Sequence, residues 1–198
     1  MAGPAAQRYT VEEYLALERA SETKHEFLNG RIYAMAGCSR QHDRIVVNVS
    51  GELRSRLRDT RCRPHSSDLR VKVQSGGLYT YPDVSVSCGE ARFEDSDLDT
   101  LANPAAVFEV LSPSTEQYDR GLKFQLYQQL ESIADIVFVA QTGVFVEHFR
   151  RGHEGHWDYK SYRSPDEQLD LANLSCVLPV GEIYRDVDFP AEPPLREA

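Results

Sequence analysis

The run Ala105-Ala106-Val107-Phe108-Glu109-Val110-Leu111 constrains this chain more than any other stretch. A segment almost without polar side chains reads as a central β-strand covered on both faces, so the fold has to supply a sheet and two covering layers. Glu109 stands in the middle of it. A carboxylate in an apolar setting is costly unless it is paired or bound to a metal.

Two nearby segments carry the same kind of misfit. Pro82 to Cys88 alternates as a strand does, with Asp83, Ser85 and Ser87 on one face and Val84, Val86 and Cys88 on the other. Pro82 suits only the start of such a strand. Asp119 to Glu131 reads as a helix, and at about 100° per residue Leu122, Lys123, Leu126, Tyr127 and Leu130 fall on one stripe. Lys123 therefore points inward with the leucines. Three ionisable residues out of place so close together in sequence point to a site.

With 198 residues and 41% hydrophobic content, the chain can build one full core, which predicts a single domain over residues 1–188 and a disordered tail over 189–198. No run approaches the roughly 18 apolar residues of a membrane span, and the first residues lack an apolar signal region, so the expectation is a cytoplasmic protein without a membrane partner. Cys38, Cys62, Cys88 and Cys176 form no C-x-x-C pair, which predicts reduced thiols. The net charge of −9 argues against wrapping a polyanion over the whole surface, yet Arg40 to Lys72 holds nine Lys/Arg against four Asp/Glu. Part of that surplus lies on a predicted helix over 41–58, where Ile45, Val49, Leu53 and Leu57 recur at helical spacing and Arg54 and Arg58 stack on a neighbouring face.

The remaining elements frame these segments. Thr10 and Glu13 form a capping box that opens a helix through Glu18 with Val11, Tyr14, Leu15 and Leu17 inward. Asn29-Gly30 is a type I′ hairpin signal, with Glu26 at the hairpin's mouth as an exposed edge carboxylate. Strands near 61–65 and 69–74, turned at Ser75-Gly76-Gly77, predict an antiparallel meander into the Asp83 strand. Strands over 135–140, 144–150 and 157–162 complete a β-α-β unit followed by a hairpin. His148, His153 and His156 have roughly ligand-like spacing, and a surface hairpin accounts for them better than zinc.

Two carboxylates from neighbouring strands and an ammonium make an oxygen-lined pocket for a hard divalent ion, Mg²⁺ or Mn²⁺, and phosphodiester hydrolysis is the chemistry such a pocket serves. A glycosidase would also use paired carboxylates, without need of the lysine. In order along the chain, Tyr81-Pro82-Asp83-Val84, Val107 to Thr115 and Tyr118 to Phe124 resemble the Uma family of restriction-endonuclease-like proteins, within the PD-(D/E)xK nuclease superfamily, and the similarity runs from Tyr9 to about Asp188. The resemblance implies an α/β fold (α+β, mixed sheet), a restriction-endonuclease-like core with flanking helices and additional β-hairpins. It also implies a metal at Asp83, Glu109 and Val110, and an endonuclease acting on nucleic acid, DNA before RNA; two cuts on antiparallel strands are naturally made by a two-fold pair, which predicts a homodimer. A protein that kept the fold as a binding or assembly module after losing activity is the competing expectation. The chain departs from the superfamily pattern at Glu109-Val110-Leu111, where leucine replaces the lysine. Lys123 is the candidate to supply that ammonium, and by analogy Glu26 joins the site.

Overall fold

The structure, a computed structural model, describes residues 7–73 and 77–189. Ser75 and Gly76 of the predicted turn, and the predicted tail beyond Phe189, lie outside the described residues. In chain order the elements are α1 (Val11–Ala20), β1 (His25–Leu28), β2 (Arg31–Ala34), α2 (Arg40–Arg56), β3 (Cys62–Ser66), β4 (Arg70–Val73), β5 (Leu78–Thr80), β6 (Val84–Cys88), β7 (Thr100–Leu101) and β8 (Ala106–Leu111). A composite helix follows, α3 (Glu116–Tyr118), a π-turn (Asp119–Lys123) and α4 (Phe124–Gln129). The chain closes with β9 (Asp135–Ala140), β10 (Val146–Arg151), β11 (Trp157–Tyr162), β12 (Gln168–Leu171), β13 (Cys176–Pro179) and α5 (Val180–Ile183). Among the described residues, no helix is long and apolar enough to cross a membrane.

The strands form a six-stranded sheet, β11-β10-β9-β8-β6-β3, a five-stranded sheet, β2-β1-β5-β4-β7, and the β12-β13 hairpin. In the six-stranded sheet only β8 and β9 run parallel, as a β-α-β crossover requires. β8 is central and every one of its residues is buried, as its composition demands. Ala106, Phe108 and Val110 face a core with Ile45, Val49, Leu53 and Leu57 of α2. Val107 and Leu111 face a second core built with β4, β5 and α4. Burying each such aliphatic or aromatic side chain contributes roughly 1.5–3 kcal/mol. Glu109 shares the second face.

The predicted meander does not form. β3 pairs with β6 in the larger sheet, whereas β4 pairs with β5 in the smaller one. Between β3 and β6 the chain changes sheet twice, at 67–69 and again at 81–83. Asp83 thus occupies the short crossover just ahead of β6 rather than the strand itself.

Two further expectations are corrected by non-local partners. Cys62 and Cys88 are opposite one another in the β3–β6 register, and the structure joins them as a disulfide where reduced thiols were expected. Strand register, rather than a local Cys spacing, brings them together. Glu26 is buried at 9% exposure rather than exposed, because β1 is flanked by β2 on one side and β5 on the other. The Asn29-Gly30 turn has the expected positive φ values of 48° and 84°. The capping box of α1 forms, but Leu17 is 37% exposed and Glu18 takes its inward place.

The Lys123 helix departs from regular winding. The Phe124 amide donates to the Asp119 carbonyl, five residues back, so the chain holds one residue more in that turn than an α-helix would. That extra residue shifts the phase of what precedes α4. Leu122 emerges at 42% exposure, against the predicted stripe, while Lys123, Leu126 and Tyr127 stay buried.

Candidate active site

Asp83, Glu109, Lys123 and Glu26 come from four different elements and line one cavity of about 370 Å³. The crossover supplies Asp83, β8 supplies Glu109, β1 supplies Glu26 and the π-turn supplies Lys123. The cavity therefore sits where the two sheets diverge, and each sheet gives it a carboxylate.

Lys123 is 4% exposed. Its Nζ lies 2.9 Å from Glu109 Oε1, 3.3 Å from Glu26 Oε1 and 3.5 Å from Asp119 Oδ1. It is a buried, paired ammonium and not a side chain snorkelling to water. Burial alone would lower its pKa, but Glu109, the Tyr127 oxygen, Glu26 and Asp119 outweigh that and hold it well above the ordinary lysine value. Burial pushes the Glu109 carboxyl up to about 8, against the opposing pull of Lys123 and with Asp119 and Asp83 adding to the rise. The Tyr127 hydroxyl donates to Glu109 Oε1 at 2.6 Å, and the Thr80 hydroxyl donates to Glu26 Oε1. Tyr118 faces Glu26 as well, and burial followed by that carboxylate raises its phenol.

Asp83 is held from two sides. Its Oδ2 accepts from the Val110 amide at 2.7 Å, and its Oδ1 lies 2.9 Å from His42 Nε2. Val110 thus contributes its amide to the site while its side chain stays in the apolar core. The Asp83 carboxylate lies close to Glu109, because the amide it accepts from belongs to the next residue along β8.

The residues sequence reasoning missed are His42, Asp119, Tyr127, Tyr118 and Thr80. Tyr127 was placed on the inner stripe, and its hydroxyl is what the pattern could not assign. Asp119 was taken only as the start of a helix. His148 and His153, with His156, do not converge on a metal: His148 is buried against Asp135 at 2.7 Å, and the other two stand at the β10–β11 turn.

Among the described residues no three His, Cys, Asp or Glu side chains gather as a closed metal cage. Asp83 and Glu109 remain as two hard-oxygen donors beside open space. That donor set suits Mg²⁺ or Mn²⁺, which take one or two carboxylates and complete their shell with water and substrate oxygens. Glu109 Oε1, Glu26 and Asp119 all lie within ion-pair distance of Lys123, and Asp83 does not share that contact.

Comparisons with known proteins agree with this architecture. A family model, Uma2, described as “Putative restriction endonuclease”, matches residues 11–181. A Synechocystis protein described only as uncharacterized is 37% identical over 182 residues, covering 92% of this chain and 94% of its own. A second from the same organism is 32% identical over 148 residues, 75% of this chain and 84% of its own. A crystal structure from Anabaena variabilis, described as a “putative nuclease belonging to DUF820”, superposes with a TM-score of 0.70 at 17% identity, covering 89% of this chain and 97% of that one. The fold is restriction-endonuclease-like.

Proposed function

The chain belongs to the Uma2 family, and from that premise we propose that it is a Mg²⁺- or Mn²⁺-dependent endonuclease that hydrolyses phosphodiester bonds in DNA. The observation that carries this reading is a charge imbalance. Four carboxylates, Glu26, Asp83, Glu109 and Asp119, line the cavity against the single ammonium of Lys123. Buried carboxylates without compensation are costly, and a cation is the natural occupant of the space they leave.

Asp83 and Glu109 would hold the ion, which would polarise the scissile phosphoryl group and activate a bound water. Lys123 would stabilise charge that develops on the phosphoryl oxygens, with Glu109 and Asp119 fixing where its ammonium stands. Tyr127, wholly buried, fixes the Glu109 rotamer by its hydrogen bond. Val110 does the same for Asp83 through its amide.

The substrate's backbone would sit beyond the cavity. Arg54, Arg58 and Arg63 line a second hollow of about 310 Å³ with Leu57, Cys62 and Pro64, and no carboxylate lines it. Arg54 is twelve residues along α2 from His42, or about 18 Å at 1.5 Å per residue. Arginines on such a face make phosphate contacts that position a duplex without reading its sequence. A two-fold pair of chains is the arrangement that cuts both antiparallel strands.

The test is plasmid cleavage by purified protein with Mg²⁺ or Mn²⁺, beside an Asp83→Ala control. Metal-dependent nicking that the control lacks supports the proposal. No cleavage of DNA or RNA by the intact protein with either ion overturns it and favours a binding module.

A further inference from the structure

Asp83 lies in a crossover, outside any strand ladder, so no regular backbone pairing fixes its side chain. Two donors do. One is the Val110 amide on Oδ2. The other is His42, whose Nε2 meets Oδ1 at 2.9 Å. An ionised carboxylate only accepts, so the contact requires the proton on Nε2. His42 Nδ1 is buried without a partner among the described residues.

His42 is itself held from behind. It stands in the first turn of α2, and its amide donates to Oγ of the N-cap Ser39 at 3.1 Å. The Ser39 hydroxyl in turn donates to Gln141 Oε1 at 2.6 Å, and Gln141, 8% exposed, directly follows β9. The result is a chain of hydrogen bonds from the end of β9, through the start of α2, to Asp83 and on to β8. His42 and Asp83 side chains are only 14% and 18% exposed, so water competes weakly for these bonds.

Resting on the metal-site reading above, we propose that His42 is a positioning residue. It holds the Asp83 carboxylate in the orientation that receives the divalent ion, through Nε2–H on Oδ1, without binding the ion itself. Each Asp83 oxygen then has one donor and keeps a lone pair free for a cation. Groups that orient a metal's ligands in this way typically change affinity by about 10–100-fold when removed. The role is distinct from that of Lys123, which faces Glu109 and Glu26 and has no contact with Asp83 at ion-pair distance.

The experiment is Mn²⁺ binding to the full chain, read by electron paramagnetic resonance of free and bound ion, with a thermal melt of every variant. His42→Ala is expected to weaken Mn²⁺ binding about 10–100-fold. His42→Gln, whose amide can donate from a similar reach, should recover most of that loss. Should His42→Ala not fold, His42→Leu, which fills the ring's space without a donor, takes its place against His42→Gln. The bound Mn²⁺ of the unaltered protein should show no directly bonded nitrogen.

Unchanged affinity in the donorless variant overturns the proposal, as does equal loss in the glutamine variant. A bonded nitrogen signal that disappears in His42→Ala also overturns it and makes His42 a ligand. Asp83→Ala separates the two levels of the argument. If the unaltered protein binds Mn²⁺ and Asp83→Ala does not, a silent His42→Ala sinks only His42's role. If the unaltered protein binds no Mn²⁺, the metal site falls and His42's role falls with it.

Discussion

Arg70 and Lys123 are both buried cations, 2% and 4% exposed, in the same small protein. Arg70 spreads its guanidinium over Thr100 Oγ1 at 2.9 Å, the Tyr81 hydroxyl at 3.0 Å and Asp99 Oδ1 at 2.9 Å. Asp99 is shared with Arg19, whose guanidinium stands first among the causes that hold that carboxyl far below the usual range. Tyr81 passes the network on to Glu18, which also binds the His25 ring. Each anion there meets a donor, and the cluster ties the acidic loop ahead of β7 to α1. Around Lys123 one ammonium serves three carboxylates, with Asp83 beyond it and a cavity in front. A balanced cluster of buried charge holds a fold together. A cluster left anionic beside open space is set up to receive a cation.

Metal withdrawal should separate the two regions most sharply. Chelation with EDTA is expected to abolish nucleic-acid cleavage while leaving the melting temperature close to that of the metal-free protein, and cleavage that survives chelation would place the chemistry elsewhere. Arg70→Met comes next. Removing that guanidinium leaves Thr100 and Tyr81 without its donors and Asp99 with Arg19 alone, which should cost about 1–3 kcal/mol, a fall in Tm of roughly 3–10 °C, with Mn²⁺ affinity retained. A comparable loss of Mn²⁺ affinity would show that the clusters are one unit.

Lys123→Met should lower cleavage by about 10²-fold or more. It should not weaken Mn²⁺ binding, because it removes a cation that competes for the same carboxylates. Calorimetric titration with Mn²⁺ checks this, and weaker binding would make the ammonium part of the ion's support. The smallest effect concerns the arginines at the far end of α2. Arg54→Ala with Arg58→Ala should reduce the slope of log affinity for DNA against log salt by about 2, roughly one per phosphate contact. An unchanged slope would remove that face from the interface.

What could be read from the sequence was what local pattern determines. An unbroken apolar strand made Glu109 conspicuous, and helical phase put Lys123 and Tyr127 inward. The phase argument failed at Leu122, because no composition rule announces a π-turn. Glu26 entered the site only by family analogy, and its burial and the contact of His42 were beyond local pattern for another reason. Whether β1 is an edge depends on β5, some fifty residues later, and whether a histidine in the first turn of α2 touches anything depends on Asp83, 41 residues away. The division of β3 and β4 between two sheets, and with it the Cys62–Cys88 bond, follows from the same long-range pairings.

The wide turn from Asp119 to Lys123 makes the site sensitive to chain length as well as to composition. Gly121 sits inside it, in a place where even an added Cβ would meet nothing within 4 Å, so side-chain bulk is not what that position guards. Loss of any single residue between Asp119 and Lys123 would let the helix return to regular winding, turning Tyr118 and the residues before it by about 100° relative to α4. Glu26, Asp83, Glu109 and Lys123 would all still be present. Two homologues could therefore agree at every one of those positions, differ by one gap, and not share an aligned site.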